Sequence, residues 1–204
     1  VEVVNGDWLT ELLRQCAHPG GAAICGAMLW YPDETIQHAG IVTGLGGYAG
    51  HSHKYKKKGG SGYLFRTSTV QDFSGVTGAC LLVKTAVYDE MHGLDEQFAV
   101  AFNDVDFCLR VRAAGYRIAW TPYAELVHYE SKSRGGDEKD PVKAARFAAE
   151  QQRLYTIHGK ENILDDPYYN PNLTRDREDF SESDDLRRLK EGRVTVRFRG
   201  GTLQ

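Results

Sequence analysis

Read for the spacing of its apolar positions, the chain divides into short, alternating pieces. Trp8, Leu9, Leu12 and Leu13 recur at helical spacing after the turn Asn5-Gly6-Asp7, and predict a helix capped by Asp7 and running to about Gln15. Pro19-Gly20-Gly21 stops it. Ala22 to Leu29 is the continuous apolar run of a buried strand, Tyr31-Pro32-Asp33 turns the chain, and Ile36 to Thr43 predicts a second strand. Order resumes near Phe73: Val76 to Val83 predicts a strand, and Thr85 to His92 a short helix closed by Gly93. Asn103 reads as the cap of a helix from Asp104 to Ala114, with Val105, Cys108, Leu109 and Arg112 along one stripe and Gly115 at the C′ position. Tyr116 to Trp120 and Ala124 to His128 read as two further strands. Asp140 to His158 predicts a long helix with Val142, Ala145, Ala149 and Leu154 inward, followed by an extended acidic arm, Asp176 to Asp185, lying on the body or on a partner. Strands alternating with helices predict an α/β class.

Composition narrows the picture modestly. With 204 residues, 41% hydrophobic and 26% charged, the chain suits one globular domain, or one with an appendage. It is long enough to bury roughly two thirds of its unfolded surface without a metal or disulfide staple. A net charge of -3 argues against a nucleic-acid partner, which usually selects a basic excess. Cys16, Cys25, Cys80 and Cys108 form no C-x-x-C pair, which disfavours a zinc ribbon or dithiol redox motif and predicts reduced, mostly buried thiols in a cytoplasmic setting. No apolar run approaches the ~20 residues of a membrane span, and Val1-Glu2-Val3-Val4 carries no secretory pattern. Lacking an initiator methionine, that start reads as the interior of a longer chain.

Candidate chemistry lies in three places. From Gly44 to Gly62, seven glycines punctuate a polar loop that also holds His51, His53, Lys54, Lys56, Lys57 and Lys58. A dinucleotide fingerprint there would need a helix immediately after it, and the chain runs into histidines and lysines instead. His51 and His53 are either metal ligands or solvated surface, and the lysines either attract a phosphate or simply face water. The second place is Asn103-Asp104-Val105-Asp106. Two carboxylates at a helix start either complement its positive end, or one of them serves as a general base; lying about 200° apart around the helix, they cannot act as a close pair. Third, His128 follows a strand, where it is either a metal ligand through one ring nitrogen or a satisfied buried histidine. Ser131, Ser133 and Arg134, just beyond, either contact phosphate or form an ordinary loop. The chain has no Gly-x-Ser-x-Gly elbow of a hydrolase.

Taken in order, several stretches resemble the second half of a family 2, GT-A-type bacterial glycosyltransferase of the rhamnosyltransferase or O-antigen kind. They are Asp7-Trp8-Leu9; Tyr31-Pro32-Asp33-Glu34-Thr35-Ile36-Gln37-His38-Ala39-Gly40; Val76-Thr77-Gly78-Ala79-Cys80; Gly93-Leu94-Asp95-Glu96; Phe102-Asn103-Asp104-Val105-Asp106-Phe107-Cys108-Leu109-Arg110 with Ala114-Gly115-Tyr116; Thr121-Pro122; His128-Tyr129-Glu130-Ser131-Lys132-Ser133-Arg134-Gly135; and Asp166-Pro167-Tyr168-Tyr169-Asn170-Pro171-Asn172-Leu173.

The resemblance implies a partial GT-A fold, a doubly wound, mainly parallel or mixed sheet with helices on both faces, plus a C-terminal helix and extended arm. It divides the chain into an acceptor-side half, 1–135, and a C-terminal helix and tail, 136–204. It implies inverting transfer of a sugar from a nucleotide-sugar donor to a hydroxyl of a glycan or lipid-linked acceptor, with a divalent metal, Mn or Mg. The family's Glu-Asp pair falls on Asn103-Asp104, which makes Asp104 the base. Thr77, Gly78, Ala79, Asn103 and Asp106 fall on the acceptor side, and His128, Ser131 and Arg134 on the donor phosphates, with His128 a metal ligand whose companions lie upstream. Val1-Glu2-Val3 resembles the residues directly after the family's Asp-x-Asp motif, so the isolated chain is expected to have little activity. A non-catalytic half-domain binding a glycan or a protein is the alternative. An open sheet edge would favour a homo-oligomer, and the parent's setting would be the cytoplasm or the inner face of the membrane.

Overall fold

A computed structural model of the protein describes residues 1–129, 140–184, 197–198 and 201–202. Two parallel strands form its spine: β2 (Ile24–Trp30) beside β8 (Ile118–Val127). Each is flanked on its outer side by two short antiparallel strands placed end to end. β7 (Leu81–Val83) and β3 (Ile36–His38) lie against β2, while β6 (Gln71–Asp72) and β1 (Glu2–Val3) lie against β8. The sheet is therefore mixed, within an α/β architecture. It is not mainly parallel: among the described strands only β2 and β8 pair in parallel.

Both faces of this sheet are covered, which is why β2 is buried at every position. Its alternate residues serve two cores. Cys25, Ala27 and Leu29 meet Leu12 and Cys16 of α1 (Trp8–Ala17). Ile24, Met28 and Trp30 face the other way, towards Phe107, Cys108 and Val111 of α3 (Asn103–Ala113). α1 rests on Leu12 and Cys16, with Trp8 packed beside them, leaving Leu9 and Leu13 nearly half exposed rather than inward. The strands expected at 116–120 and 124–128 are one continuous strand with an irregularity at Pro122. There β2 advances from Gly26 to Met28 while β8 advances from Trp120 to Glu125.

The single strand expected over 36–43 is broken into β3 and β4 (Ile41–Thr43) at Gly40. Gly40 has φ +96, and a Cβ there would stand 2.5 Å from the Phe73 ring. β4 then pairs with β5 (Ala49–His51) in a hairpin, so part of the glycine-rich stretch is ordered sheet rather than polar loop. The strand expected from Val76 shortens to β7 because the chain crosses over Gly26 first: Val76 packs where a Gly26 Cβ would lie, 2.4 Å away. α2 (Thr85–Glu90) follows β7.

α4 (Pro141–His158) begins at Asp140, whose side chain accepts the Val142 N–H, with proline in the first turn. It does not dock through Val142, Ala145 and Ala149, which face outward; Val142 is 77% exposed. The docked stripe is Phe147, Glu150, Leu154 and His158, carried on into α5 (Lys160–Leu164) by Ile163. A glutamate lies on this stripe because it meets backbone donors: Glu150 accepts the N–H groups of Val100 and Ala101 at 3.1 and 2.8 Å. Residues 165–184 then return over the body. Tyr169, Leu173 and Phe180 join the core on the α3 side, and the fully buried Asp166 accepts the Thr43 amide at 2.7 Å. The arm therefore lies on the body. A small pair, β9 (Arg197–Phe198) with β10 (Gly201–Thr202), completes the described elements.

Candidate active site

α3 is wound so that it begins beside the Thr77–Ala79 turn. The residue before it, Phe102, has φ +64, a left-handed conformation that costs a bulky residue on the order of 1–3 kcal/mol. The cost is met by burial: the Phe102 ring packs against Tyr48 and Phe147 at centroid distances of 5.5 and 5.1 Å. Phe102, not Asn103, occupies the N-cap position, and it offers no side-chain cap. The first-turn donors are met from within the turn instead. Asn103 Oδ1 accepts the Asp104 N–H at 2.7 Å, Asp104 Oδ1 accepts the Val105 N–H at 2.8 Å, and the Phe102 carbonyl accepts the Asp106 N–H at 2.8 Å.

Asp104 is half-buried, and its second oxygen, Oδ2, accepts the Gly78 N–H at 2.8 Å. Two backbone donors thus fix the carboxylate, and lone pairs remain on both oxygens. Gly78 is exposed, Thr77 is buried and Ala79 lies between the two. The Thr77 hydroxyl accepts the Ala79 N–H at 3.3 Å, which shapes the turn.

Asp106 is placed differently. Its side chain is 1% exposed, and its two oxygens meet Arg110 Nε at 2.9 Å and His158 Nε2 at 2.8 Å. Arg110 also donates to the carbonyls of Met91 and Gly93 at 2.6 and 2.8 Å. Asp106 is thus sealed away from the solvent-facing side of Asp104, and it ties the start of α3 to the end of α4 and to the turn after α2. Both of its oxygens, read from sequence as facing the acceptor side, are taken up by the protein's own side chains.

A histidine pair that the sequence reading did not single out stands behind Thr77. His38 is fully buried at the end of β3, opposite Leu29. Its Nε2 accepts the Gly40 and Thr77 N–H groups at 3.3 and 3.4 Å. The proton of neutral His38 must then sit on Nδ1, which lies 2.8 Å from Nδ1 of His51 and donates to it. Burial, with the added repulsion of His51 and His128, keeps the His38 pKa well below the usual histidine value. His53, read from sequence as either a metal ligand or solvated surface, is 2% exposed and stacks on Phe180 with centroids 4.2 Å apart. Burial and the charges of Arg66 and Lys56 lower its pKa to about 4. The available signal for the pair was a polar residue in the apolar strand just before Gly40.

His128 follows β8, and its N–H donates to the Trp30 carbonyl at 2.9 Å, at the carboxyl end of the two parallel strands. Open α/β sheets bind ligands at that end. Ser131 and Arg134 lie outside the described residues. No group of three or more His, Cys, Asp or Glu side chains able to hold a metal ion exists among the described residues. His38 uses both ring nitrogens in its hydrogen bonds. These residues do not by themselves fit a metal centre. The four cysteines are free, with Cys16, Cys25 and Cys108 buried.

Comparison with known proteins adds a lineage. No family model and no solved structure matches the chain. An uncharacterised protein of Sinorhizobium fredii is 48% identical over 181 residues, 88% of this chain and 20% of that protein. The O-antigen biosynthesis protein RfbC of Myxococcus xanthus is 35% identical over 175 residues, covering 85% of this chain and 13% of its own length. An N-acetylglucosaminyl-diphospho-decaprenol L-rhamnosyltransferase of Mycobacterium tuberculosis is 32% identical over 80 residues, 39% of this chain and 24% of the enzyme. The chain is thus similar over most of its length to segments of much longer proteins, and spans between 13% and 24% of these three relatives.

Proposed function

We propose that this chain forms the acceptor-side part of a GT-A-type family 2 glycosyltransferase that builds a surface polysaccharide, with Asp104 as its general base. The names of two relatives, one an O-antigen biosynthesis protein and one a rhamnosyltransferase, support transfer of a sugar from a nucleotide-sugar to a glycan or lipid-linked hydroxyl. The observation that carries the assignment is the seat of Asp104. Its carboxylate is held by two backbone donors at a helix start, is half accessible, and lies beside the exposed Gly78. A base so held loses little freedom when it takes a proton, and lies within reach of a hydroxyl resting on the Thr77–Ala79 turn.

The reaction is a single displacement with inversion. The acceptor oxygen bonds to the anomeric carbon and passes its proton to Asp104, while the bond from that carbon to the diphosphate oxygen breaks and the nucleoside diphosphate leaves with the electron pair. Asn103 and the turn position the acceptor, Asp106 holds α3 in register, and His128 lies on the donor side. A divalent ion bound by the full-length protein would offset the diphosphate charge. The described residues supply no ligand set for it, so the 204-residue chain alone is expected to show little turnover with a nucleotide-sugar and manganese.

The test is D104N in the full-length protein, assayed by transfer of radiolabelled sugar. Loss of a general base should lower kcat by about a hundredfold or more, with the KM for donor nearly unchanged. A rate close to that of the parent protein would remove Asp104 from the chemistry.

A further inference from the structure

Between β5 and β6 the chain builds a surface unlike the rest of the molecule. Residues 51–67 contain five cationic side chains (Lys54, Lys56, Lys57, Lys58 and Arg66) and no carboxylate, in a chain whose net charge is -3. The segment is ordered. The buried His53 ring anchors it, accepting the Tyr63 N–H at 3.0 Å, while the His53 carbonyl accepts the Lys56 N–H at 3.0 Å. Thr67 closes the second turn through the carbonyls of Ser61 and Gly60 at 3.1 and 2.8 Å. Two turns therefore meet at one buried ring.

Their tips are large and apolar. Tyr55, Leu64 and Phe65 are 65%, 74% and 66% exposed. All three have left-handed backbones, with φ of +64, +47 and +61. Non-glycine residues adopt that conformation rarely and at a cost, and here the cost is borne to present apolar side chains to water, the reverse of what folding favours. Among the cations, Arg66 is tucked between Phe73 and Phe180, and Lys58 engages Glu125 and the Trp30 ring. Lys56 and Lys57 remain exposed beside the tips.

We propose that this double turn docks the protein on an anionic lipid surface. Leu64, Phe65 and Tyr55 enter the interfacial layer, and Lys56 and Lys57 rest against the phosphate headgroups. An apolar wedge with a rim of lysines suits a boundary that is hydrocarbon within and anionic at its face. A polynucleotide would be gripped by flat aromatic platforms along a basic groove, whereas the foremost tip here is the aliphatic Leu64. No described helix is long and apolar enough to cross a membrane. The loop leaves β5 directly after His51, the partner of His38. The inference itself does not need glycosyl transfer, and its test measures none.

The test is co-sedimentation of the 204-residue chain with vesicles of phosphatidylcholine alone, or of phosphatidylcholine mixed equally with phosphatidylglycerol. The chain should pellet with the mixed vesicles and stay in solution with the neutral ones. L64S/F65S should weaken the partition by about tenfold, and K56E/K57E by at least about twentyfold. Both should keep the far-UV spectrum and melting temperature of the parent chain, because the altered side chains are exposed. Equal pelleting with neutral vesicles, no pelleting with either, or full pelleting of L64S/F65S with the mixed vesicles would each overturn the proposal. So would capture by single-stranded RNA in preference to the mixed vesicles.

Discussion

Asp104 and Asp106 stand two residues apart, and they should differ severalfold in what mutation costs. Asp106 is 1% exposed and joins the Arg110 guanidinium to the His158 ring. D106A removes both contacts and leaves two donors facing a cavity. Breaking a buried ion pair costs roughly 3–5 kcal/mol. Arg110 is a quarter exposed and keeps its bonds to Met91 and Gly93, so the lower end of that range applies, about 3 kcal/mol. D106N is milder, about 1.5 kcal/mol, since the amide keeps one acceptor for Arg110 and His158 can present a lone pair to the amide N–H. D104N should cost about 0.5–1 kcal/mol, because Asp104 is half-solvated and an amide can still accept from Gly78 or Val105. Urea unfolding followed by tryptophan fluorescence, with the slope unchanged, gives the three values. In a double-mutant cycle with H158A, D106A should show coupling of about 1–2 kcal/mol. A D106A protein within about 1 kcal/mol of the parent, or a D104N loss as large as that of D106A, would refute the division of labour between the two carboxylates.

Three further outcomes follow from the same geometry. G40A forces a Cβ to 2.5 Å from Phe73 at φ +96, and should cost more than about 3 kcal/mol, seen as loss of soluble protein or a collapse in melting temperature. E150A strips the acceptors from Val100 and Ala101 just ahead of Phe102, and should lose about 2–3 kcal/mol in urea unfolding and speed amide exchange at those two positions. The buried His38 and His53 resist protonation when folded and accept it near 6.5 when unfolded, so the unfolded state binds more protons below that value. Stability should therefore be full above pH 6.5 and fall as pH drops towards 4, with a slope approaching about 1.4 kcal/mol per pH unit for each ring. H53F keeps the stack on Phe180 and should flatten that slope; an unchanged slope would acquit His53.

The parts of this fold legible in sequence were those set by one local rule. The run around Ile24 to Leu29 is apolar at every position because both faces of β2 are covered, and helix α3 announces itself through Val105, Cys108 and Leu109. Elements depending on distant partners were misread. The inward face of α4 is set by backbone donors at Val100 and Ala101, so a glutamate turns inward and three small apolar residues turn out. His53 reads as surface from its lysine neighbours, but Phe180, more than a hundred residues later, covers it. At the site, the spacing of Asp104 and Asp106 already kept them from forming a close pair. Which one faces solvent depended on His158, invisible to any local pattern. The His38–His51 pair was likewise hidden, since it joins a residue at the end of one strand to one in the next hairpin.

The return of residues 166–180 over the body bears on how the protein is made. Asp166 fastens the Thr43 amide, Glu178 fastens those of His51 and His53, and Phe180 roofs the His53 ring. Each clasp joins a late residue to one synthesised more than a hundred positions earlier. A chain emerging from the ribosome can pair β2 with its hairpins while these anchors are still untranslated, and the histidine-bearing turns must wait for them. Long-range closure of this kind slows folding, and it delays completion of the candidate acceptor site until residues 166–180 have left the exit tunnel.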